Sequence, residues 1–274
     1  MDLVYLLKNE QMNSVTTTSF LYEDELQKSL ESAKIVQEGL LPKKRHLKRV
    51  LGTYFTLYKP RDVISGDFYW VGRKHGLDYL VVGDCTGHGI SASLLSVLAL
   101  NLFEYVIMNK GIKRVNKILQ EVDKKFIESF SRDGLHDNPW IDLSIVCIDR
   151  ENNKIHYSSA NRKMLIVSNY DDYHVIRGSR YPIGGWQIED NRTFTATILP
   201  FEQGDMLYLG SDGFQDQMGG MKGKKFKSKR LHELLRSLND LPINEQKKYL
   251  EKTFVKWAAN TKQTDDICIV GLRL

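Results

Sequence analysis

The chain has 274 residues, 42% hydrophobic and 27% charged, with a formal net charge of +5. That balance fits a folded globular chain of one large domain or two small ones, and so mild a positive surplus selects no partner by itself. No run is read as approaching the roughly 18–20 apolar residues of a membrane span; Met1–Lys8 carries no basic leader, and three cysteines without CxxC spacing (Cys85, Cys147, Cys268) point to a reducing, cytoplasmic setting.

Residues 1–18 show no clean period. From 20 to 41 the spacing of Leu26, Leu30, Ala33, Gln37 and Leu40 predicts a helix with a coiled-coil-like seam, which either packs on its own domain or pairs with a second copy. Pro42 stops it, dividing the chain into an extension, 1–41, and a domain, 42–274. The basic run Lys43–Arg49 reads as a solvated loop. Short strands follow at Thr53–Tyr58, Phe68–Gly72 and Leu77–Gly83, then a helix over Ser91–Asn109, apolar around much of its circumference and so expected to be well buried. A second helix spans Val115–Phe130. Strands return at Asp142–Asp149, Lys154–Ala160, Met164–Ser168, Tyr173–Gly178, Thr193–Leu199 and Asp205–Gly210, and the chain ends in two helices, Leu231–Leu238 and Glu245–Asn260, and a strand, Ile267–Leu274. Strands and helices in separate blocks predict an α+β layered sandwich of antiparallel sheets rather than βαβ winding.

Four acidic positions sit where apolar runs begin or end: Asp67 in Ser65-Gly66-Asp67-Phe68-Tyr69-Trp70, Asp84 in Gly83-Asp84-Cys85-Thr86-Gly87-His88-Gly89, Asp212 in Ser211-Asp212-Gly213, and the pair Asp265-Asp266 before Ile267. Carboxylates on rigid strand ends can converge, and their oxygens suit hard divalent cations such as Mg2+ or Mn2+. Two such ions on a phosphate ester lower the pKa of a water, neutralise phosphoryl oxygens and align the attack. Gly83, Gly87 and Gly89 read as freedom for a tight turn after Asp84.

In order, these motifs resemble the bacterial SpoIIE/RsbU-type serine/threonine phosphatases, a branch of the metal-dependent protein phosphatase 2C superfamily; Leu40-Leu41-Pro42 resembles the Leu-Pro ahead of that domain. The resemblance covers roughly residues 30–274. It implies a four-layer αββα sandwich with a site for two divalent cations, Mn2+ or Mg2+. Asp67 and Asp84 are then the central ligands, with Asp84 bridging, Cys85 offering its backbone carbonyl, and Asp212 and Asp265 completing the set. Asp266 is the second choice for the last place, and Asp142 faces an additional weaker position. The implied substrate is phosphoserine or phosphothreonine on a partner protein, such as an anti-sigma-factor antagonist of the STAS type.

Two departures from the family pattern stand out: Arg180 and Tyr181 before Pro182 where relatives carry Lys, and Arg162-Lys163 after Asn161 where many have Asn-Pro. Neither is expected to touch the metal ligands, and the second is read as a differently shaped hairpin. Two rival functions remain open. One is a catalytically silent or activator-dependent module that binds a phosphorylated partner. The other, a nuclease, would need a basic groove with stacking aromatics; these are sparse in Lys43–Arg49 and Lys222–Arg230, so no nucleic acid is expected, and the second run is read as a substrate-holding flap or a surface loop.

Overall fold

A computed structural model describes residues 23–130, 138–169, 172–186 and 192–274, so the lead at 1–18 and the first residues of the expected N-terminal helix lie outside the described residues. Helix α1 covers 23–40 and α2 Lys44–Leu51. Then come β1 (Thr53–Lys59), β2 (Asp67–Lys74), β3 (Leu77–Cys85), α3 (Gly89–Phe103) with a π-helical continuation Glu104–Asn109, and α4 (Val115–Phe130). Strands β4 (Trp140–Asp149), β5 (Lys154–Ala160), β6 (Lys163–Val167), β7 (Tyr173–Arg177), β8 (Ile183–Gly184), β9 (Thr197–Pro200) and β10 (Met206–Gly210) follow. The chain closes with α5 (Gly213–Asp216), the small pair β11 (Met218–Gly219) and β12 (Lys224–Lys225), α6 (Ser228–Ser237), α7 (Ile243–Ala258) and β13 (Ile267–Arg273).

Two antiparallel sheets result, one ordered β1-β13-β10-β6-β7 and the other β2-β3-β4-β5-β9 with β8 on β4. Alternate residues of one strand point to opposite faces, and three slabs of core follow. On β3, Leu80 and Val82 enter the slab between the sheets, beside Val146, Leu207 and Val270. Val81 turns the other way, against Phe103 and Leu119 of α3 and α4. On β13, Ile269 faces outward to Leu250 and Phe254 of α7. Central strands covered on both faces need apolar residues at nearly every position, which is why Tyr79–Val82 of β3 and Ile145–Ile148 of β4 read as unbroken apolar runs. The four layers, helix-sheet-sheet-helix, are those expected from the sequence.

The run Lys43–Arg49 is not a loop. Lys44–Leu51 is a helix whose Leu47, Val50 and Leu51 are buried between the sheets, leaving its lysines outside. Gly89–Asn109 also departs from expectation: it is 21 residues long and holds an 18-residue stretch of mean hydropathy 1.8, long and apolar enough to cross a membrane. Here it lies on β2 and β3 through Ala92, Ala99 and Phe103, with Trp70 donating to Glu104 in its last turns. Nor is it buried all round, since Ile90 and Leu94 are 53% and 64% exposed. The strand expected over Thr193–Leu199 is confined to β9, because Phe194 turns into the core and the Thr195 carbonyl accepts Ser158 Oγ instead of joining the ladder. On α1 the expected seam splits. Gln37 faces its own domain, its amide donating to Ser65 O at 2.6 Å and accepting from Ser65 N at 3.1 Å, while Leu26, Ile35, Val36 and Leu40 are exposed.

Gly87 and Gly89 do adopt left-handed φ values, +85° and +71°, at the turn into α3. Gly83 does not turn; it lies within β3, and the Phe68 ring rests on it where a β-carbon would come within 2.5 Å of two ring carbons. Gly83→Ala therefore overpacks this contact and costs about 1–3 kcal/mol, read from urea denaturation; unchanged stability would show that Phe68 has room to move.

Candidate active site

Three neighbouring strands bring three carboxylates into a row. Asp67 opens β2, Asp84 stands one residue from the end of β3 and Asp142 near the start of β4, and the register sets Asp67 opposite Asp84 and Asp84 opposite Asp142. Directly opposed residues hold their Cβ atoms about 4.5–5.5 Å apart, so antiparallel pairing itself forces like charges together. Asp212 and Asp265 arrive from the second sheet, one just past β10 and the other just ahead of β13. These two strands pair antiparallel, with Gly210 opposite Ile269, so both acids emerge at the same end. The turn at Gly213 presses so closely on the 265–266 segment that a β-carbon there would lie 1.9 Å from Asp266 O. Only glycine lets the two segments meet.

Not every acid faces inward. Asp266 accepts from the amides of Arg61 at 2.7 Å and Gly66 at 2.8 Å, so it ties down the loop ahead of β2 with both oxygens. Asp265 Oδ1 accepts from the Asp266 amide at 2.8 Å, leaving Oδ2 for the site. Ser211 Oγ donates to Asp67 Oδ2 at 2.5 Å while accepting from the Cys268 amide at 2.9 Å, which fixes the Asp67 rotamer. The Cys85 carbonyl turns towards Gly66, within 3.2 Å of where a β-carbon on that residue would stand. His88, at the head of α3, is 59% exposed and 3.9 Å from Asp62.

A residue outside the expected set stands at the centre. Arg162 Nη2 lies 2.5 Å from Asp84 Oδ2 and 3.7 Å from Asp142 Oδ2, and Nη1 lies 2.8 Å from Asp212 Oδ2. The expectation that Asn161-Arg162-Lys163 stays clear of the acids is therefore corrected. The segment is not a hairpin: β5 belongs to one sheet and β6 to the other, so the chain crosses between the sheets at the acidic end. Asn161 takes the left-handed φ of +58° that asparagine tolerates, and its Nδ2 donates to Asp142 Oδ2 at 2.9 Å. The signal in the sequence was a basic pair in place of the family's turn residues. The basic run 222–230 takes another course: Lys225 pairs with Asp216 at 2.7 Å, and the Arg230 guanidinium lies over Trp257, 4.4 Å from its ring centre.

Burial pushes the fully enclosed Asp67 carboxyl well above the usual range, Asp84 adds to the push, and the Ser211 hydrogen bond opposes it. Asp84 is pushed up to about 8, by burial first and then by Asp212, Asp265 and Asp142, against the pull of Arg162. Burial likewise raises Asp142 and Asp265. For Arg162 burial works against the charge, but Asp84, Asp212 and Asp142 outweigh it. One guanidinium does not balance this set, and Oδ1 of both Asp67 and Asp142 is buried without a hydrogen-bond partner.

Such a donor set fits hard divalent cations. No three His, Cys, Asp or Glu side chains among the described residues close round a single point, as expected where a guanidinium holds the carboxylates apart. Mg2+ in any case keeps several waters and needs only one or two carboxylates.

The fold is shared with solved phosphatase domains. The SiaA-PP2C domain of Pseudomonas aeruginosa matches with a TM-score of 0.83 at 30% identity, over 92% of this chain and 98% of that one. The PP2C phosphatase domain of SpoIIE from Bacillus subtilis, with a fragment of its regulatory domain, matches at 0.65 and 17% identity, over 81% of this chain and 62% of that one. RsbX, in complex with magnesium, matches at 0.54 and 18%, over 81% and 94%. No curated protein sequence matches the chain. The architecture is therefore that of a PP2C-type phosphatase domain. Residues 76–274 match the family of Stage II sporulation protein E (SpoIIE), and the chain belongs to that family.

The raised carboxyl pKa values fix the sign of a pH effect. Acids whose pKa is higher folded than unfolded bind more protons in the folded state, so their stabilising contribution is complete below the unfolded pKa and is lost as pH rises through the folded one. For Asp84 that window runs from the ordinary carboxylate range up to about 8. Metal-free protein should lose melting temperature between about pH 5 and about pH 8, Asp84→Asn should flatten the loss, and Mn2+ should reverse it by binding the folded state. Thermal melts at the two pH values check this; a wild-type slope equal to that of Asp84→Asn contradicts it.

Proposed function

We propose that this chain hydrolyses phosphoserine or phosphothreonine on a partner protein, using divalent cations held by Asp67, Asp84, Asp212 and Asp265 with the Cys85 carbonyl. The observation that carries the reading is the convergence of carboxylates from both sheets at one end of a SpoIIE-family fold. Bound there, two cations supply a water of lowered pKa and charge neutralisation on the phosphoryl oxygens. Asp84, opposed on either side by Asp67 and Asp142, would be the ligand placed to serve both cations. Asp142 serves an additional, weaker site. Ser211 holds Asp67 in its rotamer, and Asp266 fixes the loop that delivers it. A cysteine nucleophile is disfavoured: Cys85, Cys147 and Cys268 are all buried, and burial raises each thiol above its ordinary pKa.

The wider setting belongs to the same proposal. Fold neighbours include the RsbU and RsbW domains of a Mycobacterium tuberculosis protein and a component of the bacterial stressosome. They favour a signalling role with a phosphorylated partner, a STAS-type antagonist being the candidate, and a cytoplasmic setting is part of the same proposal. Magnesium is the ion named for RsbX, and Mn2+ is the alternative here. The exposed Ile35 and Val36 of α1 favour a homodimer through that helix.

Phosphate release from a phosphoserine peptide, with Mn2+, Mg2+ or chelator, tests the activity. Release should need the metal and fall by about 10²-fold or more in Asp84→Asn, since charge stabilisation by a metal is worth several kcal/mol. Metal binding without turnover would favour the silent or activator-dependent module. Sedimentation tests the dimer: Ile35→Glu with Val36→Glu should convert it to monomer, and a wild type that is already monomeric removes the idea.

A further inference from the structure

Arg162 has no part in the reaction as described above, yet it occupies the middle of the site. Its fork is spent on Asp84 Oδ2 and Asp212 Oδ2, carboxylate oxygens of two residues assigned above to the cations. A divalent ion attracts a carboxylate about twice as strongly as a guanidinium at equal distance and dielectric. Cation binding and this ion pair are therefore alternatives, and the side chain must give way. It cannot go far, being anchored on the crossover between the sheets with only 12% of its side chain exposed. A cavity of about 130 Å³ adjoins it, lined by polar residues such as Asn161, Gln215 and His232 and by apolar ones such as Met164, Leu231 and Ile269. Its Nε is buried and makes no hydrogen bond, so one donor of the fork remains unused.

The planar fork that now meets carboxylate oxygens has the shape to meet phosphoryl oxygens, which present the same spacing of acceptors. We propose that Arg162 alternates between two partners: the bare carboxylates when no cation is bound, and the phosphoryl oxygens of the substrate once cations hold Asp84 and Asp212. The first position limits metal affinity. The second makes Arg162 a substrate-binding residue supplied by the very segment where this chain departs from its family's pattern. The substrate half rests on the phosphatase reading; the competition with cations does not.

Calorimetry separates the two halves. Mn2+ is titrated into metal-free wild type, Arg162→Ala and Arg162→Lys, and inorganic phosphate into the Mn2+-loaded proteins. Arg162→Ala should bind Mn2+ about tenfold more tightly and phosphate about tenfold more weakly, the scale of one charge-assisted hydrogen bond. For the peptide substrate, KM should rise more than kcat falls. Lysine cannot bridge Asp84 and Asp212 as a fork, so Arg162→Lys should shift in the same direction by less, and it carries the test if the alanine variant does not fold. Folded variants with unchanged phosphate affinity, or with Mn2+ affinity no tighter than wild type, overturn the proposal. A wild type that binds Mn2+ and phosphate in this way but releases none from esters refutes the phosphatase reading alone.

Discussion

The constraint on which the site depends is like-charge repulsion between strand ends. Antiparallel pairing fixes Asp67, Asp84 and Asp142 in one row, and pairing in the other sheet brings Asp212 and Asp265 to the same end. The ladder fixes the spacing of their Cβ atoms, so side-chain rotation can move the carboxylates only within the reach of an Asp side chain. The fold must bind protons, a guanidinium or metal ions there, and the raised Asp67 and Asp84 pKa values, the Arg162 ion pairs and the oxygen donor set express that one requirement in three ways.

What keeps the row in place is a second set of contacts with no part in the chemistry. Asp266 holds the Arg61 and Gly66 amides, and Gln37 of α1 holds both the amide and the carbonyl of Ser65, two residues before Asp67. Ser211 ties Asp67 to the Cys268 amide and so joins the two sheets at the acidic end. Buried polar groups left unpaired cost about 1–3 kcal/mol each, and these bonds pair them while fixing geometry. They give α1 a physical connection to the site through one side chain, although the rest of that helix is largely exposed.

The sandwich was legible because its strands are short, apolar and punctuated by turn residues, and because β5 and α4 carry their period on their surface. The acids were legible from their places at the ends of apolar runs. Helix α2 was hidden by charge: four of its eight residues are Lys or Arg, and three apolar side chains suffice to bury one face. Gly83 was misread because sequence shows only a missing side chain, not that a ring from the neighbouring strand fills the space. The Arg162 contacts were hidden by topology. Two strands separated by two residues look like a hairpin, and nothing local says that β5 and β6 belong to different sheets.

That crossover is also the reason an arginine can serve here. A residue within either sheet would have its Cβ direction set by the pleat. A residue on the crossover escapes the ladder, and with Asn161 in the left-handed region the backbone aims the next side chain into the gap between the sheets. Asp84 comes from one wall of that gap and Asp212 from the other, and Arg162 spans them with one fork. Burying a lone guanidinium would be costly, and burying these carboxylates without a cation would be costlier still. Each is tolerable only because of the other, until a stronger cation takes the carboxylates and leaves the guanidinium needing an anion.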